Sequence, residues 1–291
     1  MSDWPVMDRE QRDLVDEWLP GAEVVADLSW GLVDSTVVRV RHEGRDLIVK
    51  AGGPDNHHIA REINGHRDGI AVLAQRGLAP RLLRASPSHR ILVTEYLPGE
   101  LVDEGEMERD PNVLRQAGAV LGVLHGLKSQ TDETLERNLF RKAVKWLDKP
   151  HRIPPDDCER VREALEAYET SPVTVVPNHG DYSGRNWILH EGRLAVIDFG
   201  RYGYRPAHHD FIRMYFRRWH DHPDEMNAFL EGYGSDLRES LGSTWWKHVL
   251  REAVATACWA HKVGDEPFEQ TGLRFIGIAL AELTDMDFSE K

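Results

Sequence analysis

Three oxygen-bearing side chains lie near one another in the middle of the sequence. Asp181 and Asn186 stand five residues apart in His179-Gly180-Asp181-Tyr182-Ser183-Gly184-Arg185-Asn186, and Asp198 follows in Val196-Ile197-Asp198-Phe199-Gly200. Between them, His190-Glu191-Gly192-Arg193 reads as a tight turn, so a hairpin would return Asp198 to the loop that holds the other two. Phosphoryl transfer to a hydroxyl is the natural use of such a set. It needs a carboxylate to orient the hydroxyl and take its proton, oxygen ligands for Mg²⁺, and a cation on the non-transferred phosphates. The bland alternative is that all three are surface turn residues. A metallohydrolase built on His179, Asp181 and Asp198 is a more distant one.

The elements around these residues follow from periodicity. Leu14, Val15, Trp18 and Leu19 predict a helix over 8–19, ended by Pro20-Gly21. Residues 23–50 change to a β texture, in which Val37, Val38 and Val40, the turn His42-Glu43-Gly44-Arg45 and Leu47-Ile48-Val49-Lys50 predict a hairpin. A helix is expected over 56–76, then a strand at 91–96, and Leu97-Pro98-Gly99 marks a lobe boundary. Beyond it the pattern is helical. Asp110-Pro111 is a cap followed by proline at the first helical position, and helices are expected at 133–148, 156–169, 209–220, 223–232, 243–262 and 268–283. A short β interlude occupies 173–198. The expected class is α+β, with a small β-rich lobe at 1–98 and a larger α-helical lobe at 99–291 that together make one bilobal domain.

His-Gly-Asp-Tyr-Ser-Gly-Arg-Asn resembles the H-G-D-x-x-x-x-N catalytic loop of the aminoglycoside phosphotransferases and their choline-kinase-like relatives, which share the protein-kinase-like fold. Ile197-Asp198-Phe199-Gly200-Arg201-Tyr202-Gly203 is similar to the family's I-D-x-G-R-x-G, and Asp210 supplies the aspartate twelve residues after the first. The resemblance implies that Asp181 is the catalytic base and that Asn186 and Asp198 hold the metal ions. His179 would be a structural member of the loop. Asp210 would anchor a helix N-terminus behind it, a role compatible with that of an ordinary helix cap.

The same resemblance assigns parts to the N-terminal lobe. Lys50 ends Leu-Ile-Val-Lys much as the protein-kinase lysine ends its strand, and Glu62, twelve residues on, is its expected partner. Arg61 is adjacent, but successive helical residues do not share a face, so only one of the two can point inward. The phosphate-covering loop departs from the kinase pattern. Ser29-Trp30-Gly31-Leu32-Val33-Asp34-Ser35 holds one glycine, which leaves Gly31 and Ser35 as nucleotide-contact candidates or as parts of an ordinary hairpin turn. Glu95 and Leu97 would belong to a hinge whose backbone holds the nucleobase, and ATP is not separable there from GTP.

With 291 residues and 41% hydrophobic side chains, the chain has ample material for a core. Its 36 basic and 49 acidic side chains leave a net charge of −13, which argues against nucleic-acid and anionic-membrane partners. Two distant cysteines, no apolar leader and no long apolar run lead to the expectation of a reducing cytoplasm and no membrane span, as a monomer or homodimer. The first 98 residues carry 12 basic and 15 acidic side chains, so −10 of the charge lies beyond Pro98. Glu225, Glu231, Asp236, Glu239, Asp265, Glu266 and Glu269 could meet a cationic acceptor or be solvated helix faces.

The expected activity is Mg²⁺-dependent transfer of the γ-phosphate of ATP or GTP to a hydroxyl of a small molecule, an aminoglycoside or another antibiotic. A metabolic kinase for an amino sugar, choline or another amino alcohol is the alternative. A pseudokinase would lack the base, the metal ligands or the lysine, and each of these is present. The pairs His57-His58 and His208-His209 have a poor chelating geometry for zinc. Trp219, Trp245, Trp246 and Trp259 have the spacing of core residues, with a stacking role in an acceptor pocket as the rival reading.

Overall fold

Alternating burial runs through the N-terminal strands of the computed structural model, which describes residues 4–5, 7–29, 34–103 and 105–289. Helix α1 (Arg9–Trp18) precedes strands β1 (Glu23–Asp27), β2 (Ser35–His42) and β3 (Arg45–Gly52). A helical run follows as α2 (His58–Gly65), a π-turn at His66–Ile70 and α3 (Ala71–Gln75). Strands β4 (Leu82–Ser86) and β5 (Ile91–Glu95) complete a five-stranded antiparallel sheet ordered β1-β2-β3-β5-β4.

This sheet has two packed faces. Val38, Val40, Val49, Ala51, Ile91 and Val93 form one core with Met7, Val15 and Leu19 from around α1. The intervening residues take the other face, where Leu92 packs against Ile59 and Ile63 of α2. Lys50 is the cross-strand partner of Leu92. The pleat therefore sends the lysine to the side covered by α2, and this sets up the first part of the site.

The remaining elements are β6 (Glu100–Leu101), α4 (Pro111–His125), β7 (Gln130–Asp132), α5 (Leu135–Trp146), α6 (Pro155–Glu166), β8 (Val173–Asn178), β9 (Trp187–His190), β10 (Arg193–Val196) and β11 (Gly203–Arg205). After them come α7 (His208–Met214), α8 (Pro223–Tyr233), α9 (Leu237–Leu241), α10 (Thr244–Val263) and α11 (Glu266–Ser289). Asp110 caps α4, with Pro111 opening the helix, as the sequence predicts. The sequence His-Glu-Gly-Arg occurs twice and folds the same way twice. Glu43 and Gly44 (φ +47° and +77°) join β2 to β3, and Glu191 and Gly192 (φ +49° and +75°) join β9 to β10. Positive φ at both central residues matches the right-handed twist of the flanking strands.

Contacts divide the chain into two compact units. One comprises Met1–Lys128, Pro177–Tyr204 and Asn227–Gly234, and the other Ser129–Val176, Arg205–Met226 and Ser235–Lys291. The Pro98 break expected between lobes falls inside the first of these. Among the described residues, no helix is long and apolar enough to cross a membrane.

The second unit is built on α10 packed along α11. Val249, Ala253, Val254, Ala257 and Ala260 are buried in α10, and Phe275, Ile276, Ala279 and Leu280 in α11. Trp219 and Trp245 are core residues, whereas Trp259, expected in the core, is 45% exposed and meets Phe268 edge-on. Its position on α10 turns away from the alanine-rich seam.

Two histidines of this unit make its stability sensitive to acid. His248 and His208 are 2% and 4% exposed, with ring centroids 4.1 Å apart. Burial pushes the His248 imidazole down to about 3, with Arg251 adding to the effect. Burial, with His248 as neighbour, also holds His208 well below its usual value. Below about pH 6.5 the unfolded chain protonates these rings while the folded chain does not, so stability falls with pH from there toward the lowered values. Denaturation at pH 5 is expected to be easier than at pH 7 by about 2 kcal/mol per buried histidine. Chemical melts would measure this. A His248→Gln variant should lose less on acidification, and an equal loss would assign the sensitivity to other groups.

Candidate active site

The sheet register and the α2 spacing together explain the first charged cluster. Ile59 and Ile63 fix α2 on the sheet, and Glu62, three residues after Ile59, shares their inward face. Glu62 is 2% exposed whereas Arg61 is exposed, so the choice between the two falls on Glu62. Lys50 Nζ lies 2.9 and 3.0 Å from the two Glu62 oxygens and 3.3 Å from Asp198 Oδ1.

Burial alone would push the lysine's pKa down, but Asp198 and Glu62 outweigh it, and the net direction is up. Burial raises the Glu62 carboxyl against the pull of Lys50. The Lys50 ammonium, opposed by partial burial, brings Asp198 down to about 2. Asp198 is thus a firm anion, and its side chain keeps 53% exposure. Its backbone sits at φ +61°, a left-handed conformation that side chains other than glycine seldom adopt and that clusters at functional sites.

The loop from 179 to 186 is tied down from several directions. His179 Nδ1 accepts the Asp181 N–H at 3.3 Å, and its Nε2–H donates to the Ile197 carbonyl at 3.0 Å. With both nitrogens used, the ring acts as a brace between loop and hairpin. Asn186 donates from Nδ2 to the Asp181 carbonyl at 2.8 Å, and the Asn186 carbonyl accepts the Ile197 N–H at 2.9 Å. Tyr182 donates to the Ala117 carbonyl of α4 at 2.6 Å. Gly184 is needed where it stands, since its N–H meets Glu108 Oε1 at 3.1 Å and a Cβ there would lie 2.7 Å from that oxygen. Asp181, Asn186 and the residue before Asp198 are therefore linked through backbone and side-chain bonds.

Three contacts at this site had weak sequence signals. Arg185 Nη2 lies 2.5 Å from Asp181 Oδ2, and Arg201 Nε lies 3.9 Å from the same oxygen. Both arginines fall inside the motifs quoted above, and the i,i+4 spacing of Asp181 and Arg185 is the one cue to their pairing. His58 Nδ1–H donates to the Gly200 carbonyl at 2.9 Å while its ring stacks on His57 at 4.7 Å. Among the described residues, no group of three His, Cys, Asp or Glu side chains is arranged to hold a metal.

The other expected residues are more scattered. Glu95 ends β5, where its carboxylate pairs with Arg81 and its N–H donates to the Arg81 carbonyl at 3.0 Å. The chain leaves the strand before Leu97. Ser35 opens β2 opposite Gly52, and Gly31 lies outside the described residues. Asp210 is buried in the first turn of α7, where Ala207 occupies the cap position, so Asp210 is not the helix cap.

The acidic residues considered for an acceptor are largely engaged within the chain. Glu225 pairs with Arg218, Glu231 with Arg115 and Asp236 with Arg238. Glu266 and Glu269 both meet Arg152. Asp265 caps the start of α11 through the Phe268 N–H.

Comparison with known proteins shows the family and the fold. The model of the phosphotransferase enzyme family matches residues 26–242. Aminoglycoside phosphotransferase APH(4)-Ia superposes with a TM-score of 0.70 at 14% identity, over 93% of this chain and 97% of that one. The gentamicin–APH(2″)-IIa complex gives 0.60 at 16% identity, over 93% and 96%. Macrolide 2′-phosphotransferase MphH from Brachybacterium faecium gives 0.60 at 17% identity, over 91% and 95%. No curated protein matches the chain. The fold is the α+β, protein-kinase-like one, with a β-rich N-lobe and an α-helical C-lobe. With three quarters of its length under the family model, the chain belongs to the phosphotransferase enzyme family, and it is an enzyme of that class.

Proposed function

We propose that this enzyme moves the γ-phosphate of ATP or GTP, with Mg²⁺, to a hydroxyl of an aminoglycoside or another antibiotic. The observation that carries the reading is the Lys50–Glu62–Asp198 cluster, joined through Ile197 to the loop that holds Asp181 and Asn186. The structural neighbours support the choice of acceptor: they include a ternary complex with ADP and hygromycin B and a gentamicin complex.

Each residue has work suited to its surroundings. Lys50, kept protonated by two carboxylates, offers positive charge to the non-transferred phosphates. Glu62 holds that ammonium in place. Asp181 would orient the acceptor hydroxyl and take its proton, with Arg185 and Arg201 fixing the carboxylate. Asn186 and Asp198 suit Mg²⁺ as hard oxygen donors. The Asn186 amide nitrogen is already spent on the Asp181 carbonyl, which leaves the amide oxygen as its donor atom, and Asp198 is ionised. Bound there, Mg²⁺ would neutralise charge on the phosphates. Residues 1–98 would form the nucleotide-binding lobe, with 95–97 as the nucleobase hinge, and 99–291 the catalytic and acceptor-binding lobe.

A coupled nucleotide-consumption screen with ATP and GTP against aminoglycosides, macrolides, amino sugars and choline tests the reading. Turnover with an antibiotic, well above nucleotide hydrolysis alone, is expected. Turnover confined to amino sugars or choline would replace the antibiotic reading with a metabolic one.

A further inference from the structure

The second unit contains a cavity of about 440 Å³ lined by Glu136, Tyr168, His208, Leu237, Leu241 and His248, among others. Its volume falls in the range of roughly 300–1,000 Å³ typical of small-molecule sites. None of its lining residues belongs to the phosphoryl-transfer set. The wall is mixed, with leucines of α9 and valines of β8 beside a few convergent polar groups.

Among the described residues, Glu136 is the one charged side chain in that wall, and it is 4% exposed. Its partners are neutral and loosely held. The Tyr168 hydroxyl and the Ser171 N–H reach its oxygens at 3.4 Å each, and His248 Nε2 lies at 3.4 Å. Two cations stand nearby; Arg251 attracts it at longer range, and neither makes a close ion pair with it among the described residues. Arg251 lies 3.7 Å from Glu252, and the Lys247 ammonium sits 5.3 Å over the Tyr168 ring. The buried carboxylate is thus served by three long contacts and one longer-range attraction, with no close ion pair among the described residues.

The histidines add no positive charge to this wall. His248 is neutral, so with Nε2–H toward Glu136 its Nδ1 lone pair is on the far side of the ring, where that buried nitrogen has no partner among the described residues. His208 Nε2, in the ring 4.1 Å from that of His248, also lacks one. An anion would find no Lys or Arg among the described residues of this wall and would face Glu136. A donor with positive charge meets the carboxylate, with the Tyr168 face close by.

We propose that this cavity is a second small-molecule site, which takes an organic ammonium ion carrying an apolar body. The ammonium binds Glu136, and the apolar body lies along Leu237 and Leu241.

Isothermal titration calorimetry of the full chain with protonated 2-phenylethylamine, and with uncharged 2-phenylethanol for comparison, tests this near neutral pH. One saturable site is expected, with the amine bound about tenfold or more tighter than the alcohol, as suits a hydrogen bond to a buried charge. Glu136→Gln should remove that preference. Leu241→Trp, which fills the cavity without touching the carboxylate, should abolish binding of both probes. Asp181→Asn should leave both affinities unchanged, which keeps this site apart from any failure of the phosphotransferase reading. Absence of saturable amine binding, an amine affinity unchanged in Glu136→Gln, or its loss in Asp181→Asn would overturn the proposal.

Discussion

Asp181→Asn is expected to lower phosphoryl transfer by about 10²–10⁴-fold, the range for loss of a positioned general base. The substitution keeps the size of the side chain and its place in the loop. It removes the anionic acceptor for the hydroxyl proton. Because Arg185 and Arg201 both reach Asp181 Oδ2, the neutral amide also loses two favourable charge contacts. The backbone bonds of the loop run through His179, Asn186 and Ile197 and do not depend on that carboxylate. Thermal unfolding should therefore change little. Nucleotide KM should hold as well, since Lys50, Glu62 and Asp198 form a separate cluster. The useful measurement is kcat and nucleotide KM together. A collapse of kcat at constant KM supports the base, and full activity would assign the proton transfer to another group.

Much of this site was legible because local chemistry dictated it. The two His-Glu-Gly-Arg turns are marked by a glycine, which takes positive φ freely, and each joins two strands paired in antiparallel register. Period-two alternation in β2 and β3 and the Ile59–Ile63 spacing in α2 then bring Lys50 and Glu62 to one face. Other features depend on partners far along the chain. Strand β4 reads poorly because Leu82-Leu83-Arg84-Ala85-Ser86 does not alternate, and its pairing with β5 is irregular between Leu82 and Arg84. The two residues of β6 gain their identity from Leu189 and Ile188 alone. The π-turns at His66–Ile70 and Tyr215–Trp219 leave no mark in a 3.6-residue pattern beyond a slight drift. Arginine pairing of the acidic residues was invisible for the same reason. Glu231 meets Arg115 across more than a hundred residues, so counting charge by segment could not tell an open carboxylate from an engaged one.

Lys50→Met should be costly in two separable ways. Stability should fall by about 3–5 kcal/mol, the usual result of removing one member of a buried ion pair. Glu62, 2% exposed, would be left with a negative charge that burial already disfavours. Its carboxyl would then rise further above the unfolded value of about 4.3. Between that value and the raised folded one, the native state holds more protons than the unfolded chain, so stability falls as pH rises. The defect should accordingly be larger at pH 7 than at pH 5, opposite in sign to the histidine effect. Lys50→Met/Glu62→Leu removes the stranded charge and should recover most of the stability, because a well-packed apolar pair can replace a buried ionic one. It should not recover activity. Loss of the ammonium leaves Asp198 without the neighbour that lowers its carboxyl, and leaves the donor phosphates without a fixed cation, for which a drop of about 10²–10³-fold is expected. Chemical melts at the two pH values, with transfer rates on the same preparations, separate the effects. If the double variant regained both stability and transfer, Lys50 would be a structural ion-pair member and the phosphates would need another cation.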